Sequence, residues 1–265
     1  MGRLTETTIL HRLETRLLGR TIRCCDQVDS TFKVMRALEK EGVMHGTVVT
    51  AEEQTEGRGR FDRKWESSKG AGLYFNLLLR PELEPQYAAR IIPAVAVGVC
   101  RALCELGFDA HIKWPNDIVI TSRKVCGMLA EMGLDGHKLR FVSVGIGLNV
   151  GQTLEDFPEE LRDKAGSLAL FAEADPDRTE VLCKVLLHIE HALELLQEDF
   201  PALLAEYRAL CITLGRQVQA SGGADVRGTA IDINEDGELI VEDALGTKHI
   251  LRTADVSVRG VMGYV

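Results

Sequence analysis

The chain has 265 residues, 45% of them hydrophobic, which suits one large domain or one domain with a small appendage. Thirty-one basic and forty acidic side chains leave a formal charge of −9, which excludes non-specific nucleic-acid binding as a default. Seven cysteines, an odd number without a C-x-x-C pair, exclude a zinc module and a disulfide framework and fit reduced thiols in a cytoplasm.

The N-terminal run MGRLTETTILHRLETRLLGR is too charged for a signal peptide, and its leucine spacing predicts a helix over residues 4–18 stopped by Gly19. Asp29-Ser30-Thr31 reads as the N-cap of a helix through FKVMRALEKE, ended by Gly42. GTVVTAEEQ and GLYFNLLLRP read as strands, the second stopped by Pro81. Residues 86–106 read as a buried helix with Pro93 in its first turns; their apolar run, IIPAVAVGVC, is too short to cross a bilayer. HIKWPNDIVI, KVCGMLAEM and LRFVSVGIGLNV read as three strands. TEVLCKVLLHIEHALELLQEDF carries one apolar helix face, and PALLAEYRAL continues as a second helix. Beyond Leu214, short β runs alternate with Gly and Asp turns, and Asp236-Gly237 is a hairpin signal. The expected architecture is α+β: a mixed sheet with packed helices over residues 1–213, then a small all-β barrel over 214–265.

Chemistry concentrates in a few places. Gly57-Arg58-Gly59-Arg60, with Arg63 and Lys64, is a local basic cluster in an acidic chain. Its glycines permit close backbone approach, and its arginines can fork onto phosphate or carboxylate oxygens; a solvated hairpin is the plainer reading. Trp65 either stacks on a base or fills a core. In Lys113-Trp114-Pro115-Asn116-Asp117, a proline inside a strand-like run marks an edge, a bulge or a site, while Asn-Asp alone is turn chemistry. Lys124 precedes a strand holding Gly127, where a ligand can lie on bare backbone; a lone lysine is otherwise a solvated tip. Gly145-Ile146-Gly147-Leu148-Asn149 is not a dinucleotide fingerprint, and no P-loop, G-x-S-x-G or H-E-x-x-H motif occurs. His188, His191 and Glu194 read as a polar helix face, Cys100 and Cys104 as core, and no metal ligand set is assigned.

In order, the chain carries DST at 29–31, Q-x-x-GRGR at 54–60, KW at 64–65, G-x-x-Y-F-N around Tyr74, KWPND at 113–117, K-V-x-G at 124–127 and G-x-G-x-N at 145–149. This series resembles the biotin protein ligases, and the β-rich tail resembles their SH3-like C-terminal domain. The resemblance implies a class II synthetase-like catalytic fold. It implies that biotin and ATP, with Mg2+, give biotinyl-5′-AMP, and that a lysine of a biotin carboxyl carrier domain then takes the biotin. It places Arg58, Arg60 and Lys124 on the phosphates, and Lys113 and Asp117 in the catalytic centre, with Asp117 orienting the acceptor amine. It places Ser30, Thr31, Phe32, Gln54, Gly57, Arg58, Gly59, Arg60, Tyr74, Lys124, Gly127 and Gly147 around biotin. Arg58, Arg60, Arg63, Trp65, Asn116, Lys124 and Asn149 fall to the nucleotide, with Trp65 packing on adenine. A homodimer through sheet edges is implied as well. About 28 residues precede DST, too few for the DNA-binding domain that many members carry, so no sequence-specific DNA binding and no membrane are expected.

Three departures stand out: Phe32 where the family has Asn, Glu56 where it has a small residue, and ADVSVRG in the tail, which leaves Arg259 as the best-matched residue there. The rival readings are a lipoate or octanoate ligase or transferase of the same fold, a nucleic-acid-binding module, and a non-catalytic biotin sensor.

Overall fold

The structure, a computed structural model, describes residues 2–222, 225–252, 256–260 and 264, without the side chains of residues 62, 256, 257 and 259. The Arg259 side chain therefore lies outside the described residues.

The first helix, α1 (Glu6–Arg12), is shorter than its leucine spacing predicts. The cause sits 172 to 174 residues away. The Glu190 carboxylate accepts the backbone N–H groups of Arg16, Leu17 and Leu18 at 2.6, 2.8 and 2.9 Å. Three successive N–H groups drawn to one carboxylate cannot also serve a helix ladder. Next comes a strand with no alternating signature, β1 (Ile22–Val28), which the sequence reading does not anticipate. Helix α2 (Thr31–Lys40) begins at its Ser30 cap, and Gly42 follows it at φ +84°. Strands β2 (Val48–Gln54) and β3 (Gly72–Leu79) are where expected. A 3-10 turn over Pro85–Arg90 leads into α3 (Ile91–Glu105), which accepts Pro93 in its first turn.

HIKWPNDIVI is not one strand. It folds back as β4 (Ala110–Lys113) and β5 (Asp117–Ile120), an antiparallel pair turned at Trp114–Asn116. The proline sits in that turn, where no ladder donor is needed. Long strands β6 (Arg123–Asp135) and β7 (Lys138–Asn149) follow, then α4 (Arg178–Glu198) and α5 (Phe200–Leu210). The last part is β8 (Gln217–Gly222), β9 (Val226–Ile233), β10 (Leu239–Glu242), β11 (Lys248–Leu251) and β12 (Val256–Gly260), with the expected turn at Asp236-Gly237.

Two sheets result. The first has seven strands in the order β1-β2-β3-β7-β6-β5-β4, and the second five in the order β11-β10-β9-β8-β12. The first is mixed, because β1 runs parallel to β2 while its other pairs are antiparallel. Period-2 alternation assigns its faces. Phe75, Leu77, Val144, Ile146 and Met128 join the main core with residues of α3 and α4. Leu78 and Val49 turn the other way, onto Met35 of α2. Pro85–Glu105 is apolar and long enough to span a membrane by composition, and 67% of its most apolar window is buried in this core. Gly98 explains how close α3 comes to α4: a Cβ there would lie 2.6 Å from the Ile189 backbone.

The same core continues into the second sheet through Val218, Ala230, Leu239 and Val258. Polar contacts lock the junction. The buried Trp114 indole donates to Gly237 O at 2.9 Å, and Arg208 donates to Ile233 O. At the opposite end, Arg178 and Glu52 form a buried ion pair at 2.8 Å, and Arg178 also donates to Gly72 O and Gly2 O. Arg178→Met should strand the Glu52 carboxylate and cost about 3–5 kcal/mol. Urea unfolding would check this; a loss under about 1 kcal/mol would show the pair to be dispensable.

Candidate active site

The face of the first sheet opposite the main core carries few side chains. On β7 the residues pointing there are Ser143, Gly145, Gly147 and Asn149; on β6, Gly127 stands directly beside Gly147 in the ladder. Alternation with glycines therefore strips the sheet to bare backbone along one band. Above it lies a cavity of about 680 Å³. Its walls are the start of α2, the Arg58–Glu66 segment, the Trp114–Asp117 turn, part of the 157–165 loop, and Val258, Gly260 and Tyr264 of the second sheet and tail.

The GRGR segment forms a small hairpin. Trp65 N donates to Gly57 O at 2.9 Å, Gly59 N donates to Arg63 O at 2.7 Å, and Arg58 bridges Lys64. Phe61 turns it at φ +56°, with the Arg60 and Arg63 guanidiniums 4.8 and 5.8 Å from its ring centre. The Trp65 indole then lies on the glycine band. A Cβ on Gly147 would be 2.4 Å from the indole Cε2, and one on Gly127 would be 2.9 Å from Cζ3. So the bare backbone expected to seat a ligand is covered by this chain's own tryptophan. The indole N–H is buried and has no hydrogen-bond partner among the described residues.

Charge gathers at the KWPND turn. Asp117 lies 2.6 Å from the Lys124 ammonium and accepts a hydrogen bond from the Tyr264 phenol at 2.5 Å. Lys113 donates to Val258 O at 3.0 Å and stacks over the Tyr264 ring at 4.3 Å. Burial acts to raise the Asp117 pKa, but the charges of Lys124 and Lys113 and the bonds from Lys124 and Tyr264 outweigh it, and the carboxyl is held below its usual range. Arg60 donates to Asn116 Oδ1 at 3.2 Å; burial lowers its pKa, Asp117 acts to raise it and Arg63 to lower it. Three cations thus adjoin one carboxylate, and the excess positive charge suits a polyanion.

The expected residues divide into groups. Thr31, Phe32, Gln54, Gly59, Gly127 and Gly147 line the cavity, as do Arg58, Arg60, Arg63, Trp65, Lys113, Asn116, Asp117, Lys124 and Asn149. Ser30, Gly57 and Tyr74 do not. Ser30 is the α2 cap, and Gly57 is pressed against Trp65 O, where a Cβ would come within 2.5 Å. Tyr74 is fully buried, its hydroxyl donating to Ser68 O and accepting from Gln152. Within the cavity wall the Arg58 guanidinium meets Glu131 at 3.2 Å and lies 5.4 Å from the Phe32 ring centre. The cations beside Asp117 are Lys124, Lys113 and Arg60.

Both departures near the loop gain a physical account. Glu56 pairs with Lys33 at 2.6 Å, so its carboxylate is drawn to α2. Phe32 is buried against the glycine band, its ring 2.4 Å from where a Gly145 Cβ would stand. Two participants escape sequence reasoning. Glu131 shares the strand face of Gly127, and period 2 could have found it. Tyr264 follows the last strand without any motif, and nothing in the sequence points to it.

Gly147→Ala should lift the indole off the sheet. The measurement is acrylamide quenching of tryptophan emission against the buried Trp114; quenching equal to the parent's would refute the packing.

The biotin/lipoate A/B protein ligase family matches residues 24–149, and the biotin protein ligase C-terminal domain matches 213–259. A bifunctional ligase/repressor BirA from Bacillus spizizenii is 33% identical over 258 residues, covering 96% of this chain and 79% of that protein. A biotin–[acetyl-CoA-carboxylase] ligase from Mycobacterium tuberculosis is 33% identical over 238 residues, covering 87% and 86%. Among solved structures, a biotin protein ligase from Aquifex aeolicus in complex with biotin and ATP matches with a TM-score of 0.77 and 32% identity, covering 91% of this chain and 99% of that one.

Proposed function

The chain belongs to the biotin protein ligase family, and from that premise we propose how its cavity performs the two steps of ATP-dependent biotin ligation. The observation that carries the reading is the excess of positive charge around Asp117, set beside bare backbone in one cavity.

In the first step a biotin carboxylate oxygen bonds to the α-phosphorus of ATP, the bond to the β-phosphate oxygen breaks, and pyrophosphate leaves. Lys124, Lys113 and Arg60 are proposed to hold the phosphates, offsetting like-charge repulsion as the two anions meet. Arg63, Asn116 and Asn149 are assigned to the nucleotide side. Thr31 and Gln54 present a hydroxyl and an amide to the ureido ring of biotin, joined to each other at 3.0 Å when no ring intervenes. Arg58 and Phe32 close that end. Those polar groups, and the match to the C-terminal domain of biotin protein ligases, speak for biotin over a linear lipoyl or octanoyl chain. Trp65 is proposed to leave the glycine band, letting the ligand take its place, and to pack on the bound adenylate.

In the second step the acceptor lysine nitrogen bonds to the biotin carbonyl carbon and AMP departs with the bridging oxygen. The ammonium gives up two protons in all. Asp117, ionised through neutral pH, is proposed to orient the amine and take the first, and the second passes to water as the amide forms. The acceptor is proposed to be a biotin carboxyl carrier domain.

No group of three or more metal-ligating side chains occurs among the described residues. Mg2+ is therefore proposed to enter with ATP, held on the triphosphate. We assign residues 1–213 to the catalytic domain and 214–265 to the C-terminal domain. Edge strand β1 is the proposed homodimer surface, and the free thiols favour a cytoplasmic setting.

Biotin-dependent exchange of pyrophosphate into ATP tests the first step, and Lys124→Gln should lower it by about 100-fold or more. Asp117→Asn should slow transfer to a carrier domain more than it slows exchange. Equal slowing of both would sink the assignment of Asp117.

A further inference from the structure

Tyr264 has no part in the reaction as described so far, yet it touches both ends of the KWPND turn. Its phenol donates to Asp117 Oδ2 at 2.5 Å, and its ring covers the Lys113 ammonium at 4.3 Å. The other Asp117 oxygen, Oδ1, faces Lys124 at 2.6 Å. Both oxygens of the carboxylate proposed to receive the acceptor amine are therefore engaged, one by a cation and one by a neutral donor.

We propose that Tyr264 is a positioning residue that guards the acceptor subsite, holding on Asp117 Oδ2 the place that the incoming lysine amine takes during transfer. The inference rests on the biotin ligase reading and on the role given to Asp117.

The argument is one of exchange. A phenol and an ammonium both make charge-assisted bonds to a carboxylate, but the ammonium brings a full positive charge as well, so Coulomb attraction adds to its bond. An acceptor lysine can thus displace Tyr264, while water, a neutral donor, gains nothing by doing so. Lys124 is the other exchangeable partner, and it is the group expected to turn to the phosphate of the adenylate. With Lys124 so engaged, Tyr264 is the side-chain hydrogen-bond donor left on Asp117 among the described residues. Its engagement also lowers the carboxylate's basicity, since a bond to the charged form favours that form. Displacing Tyr264 therefore clears the subsite and restores a better base in one movement. The groups facing Asp117 are Lys113 from β4, Lys124 from β6, Arg60 from the GRGR hairpin and Tyr264 from beyond β12. Among these, Tyr264 is the neutral one.

The test uses the full chain carrying preformed biotinyl-5′-AMP. AMP release is followed with N-α-acetyllysine as a small amine, then with water alone. Tyr264→Phe keeps the ring over Lys113 and removes the donor. It should speed attack by the amine on the order of tenfold, and hydrolysis should rise with it. Amine attack at the parental rate, or slower, would overturn the proposal; a slower rate would make Tyr264 a support for Asp117 rather than its guard. Asp117→Asn separates this from failure of the underlying reading. If that variant leaves amine attack unchanged, the role of Asp117 is wrong. If no adenylate forms from biotin and ATP, the ligase reading itself is wrong.

Discussion

An anion can be gathered only where positive charge is left over after the protein has satisfied its own. The ions around Asp117 set that remainder. A single carboxylate faces Lys124, Lys113 and Arg60, and it is too small to neutralise all three. Removing the carboxylate would leave the cations repelling one another; adding a second would halve the excess charge that attracts phosphate. Much of the structure can be read as keeping this ratio. Asp117 is fixed by the β4–β5 turn, Lys124 by the first residues of β6, Arg60 by the GRGR hairpin and Lys113 by a carbonyl of β12. Other acids near it are paired with their own cations, Glu131 with Arg36 and Arg58, Glu56 with Lys33, and Glu66, which lines the cavity, with Lys64.

Charge collects ligands, but bare backbone seats them. Gly127 and Gly147 lie side by side in adjacent strands, on the face that alternation turns away from the core. With side chains there, the cavity would close. With none, the sheet would leave a groove of bare, already-paired backbone open to water. Trp65 resolves the conflict by lying on the band, supplied by the same hairpin that carries the arginines. The arginines and the floor cover belong to one segment, so under the proposed function an anion that draws the arginines also lifts the tryptophan.

Much of this was legible in the sequence. The order of GRGR, KWPND and the glycine strands placed fifteen of the expected residues around one cavity. Strands such as GLYFNLLL and helices such as α4 followed their periods. What escaped was set by contacts distant in sequence. The helix expected over residues 4–18 is cut short by a carboxylate on α4, an interaction no local window contains. Strand β1 forms because β2 offers an edge, and its own residues do not alternate. HIKWPNDIVI has the composition of a strand, and only its proline hints at the fold-back. Tyr74 sits inside a motif yet serves the core, whereas Tyr264, outside any motif, reaches the site.

The shared core between the two sheets bears on how such a protein can be altered. Trp114 belongs to the catalytic turn, but its indole is bonded to the Gly237 carbonyl of the second sheet, and Val258 of β12 closes the cavity. The two matched family regions are thus not beads on a string. Cutting the chain between α5 and β8 would open an apolar interior and remove a wall of the site at once. A tail grafted from a relative would have to bring its own partner for Trp114. A change in either sheet along this seam bears directly on the packing of the other.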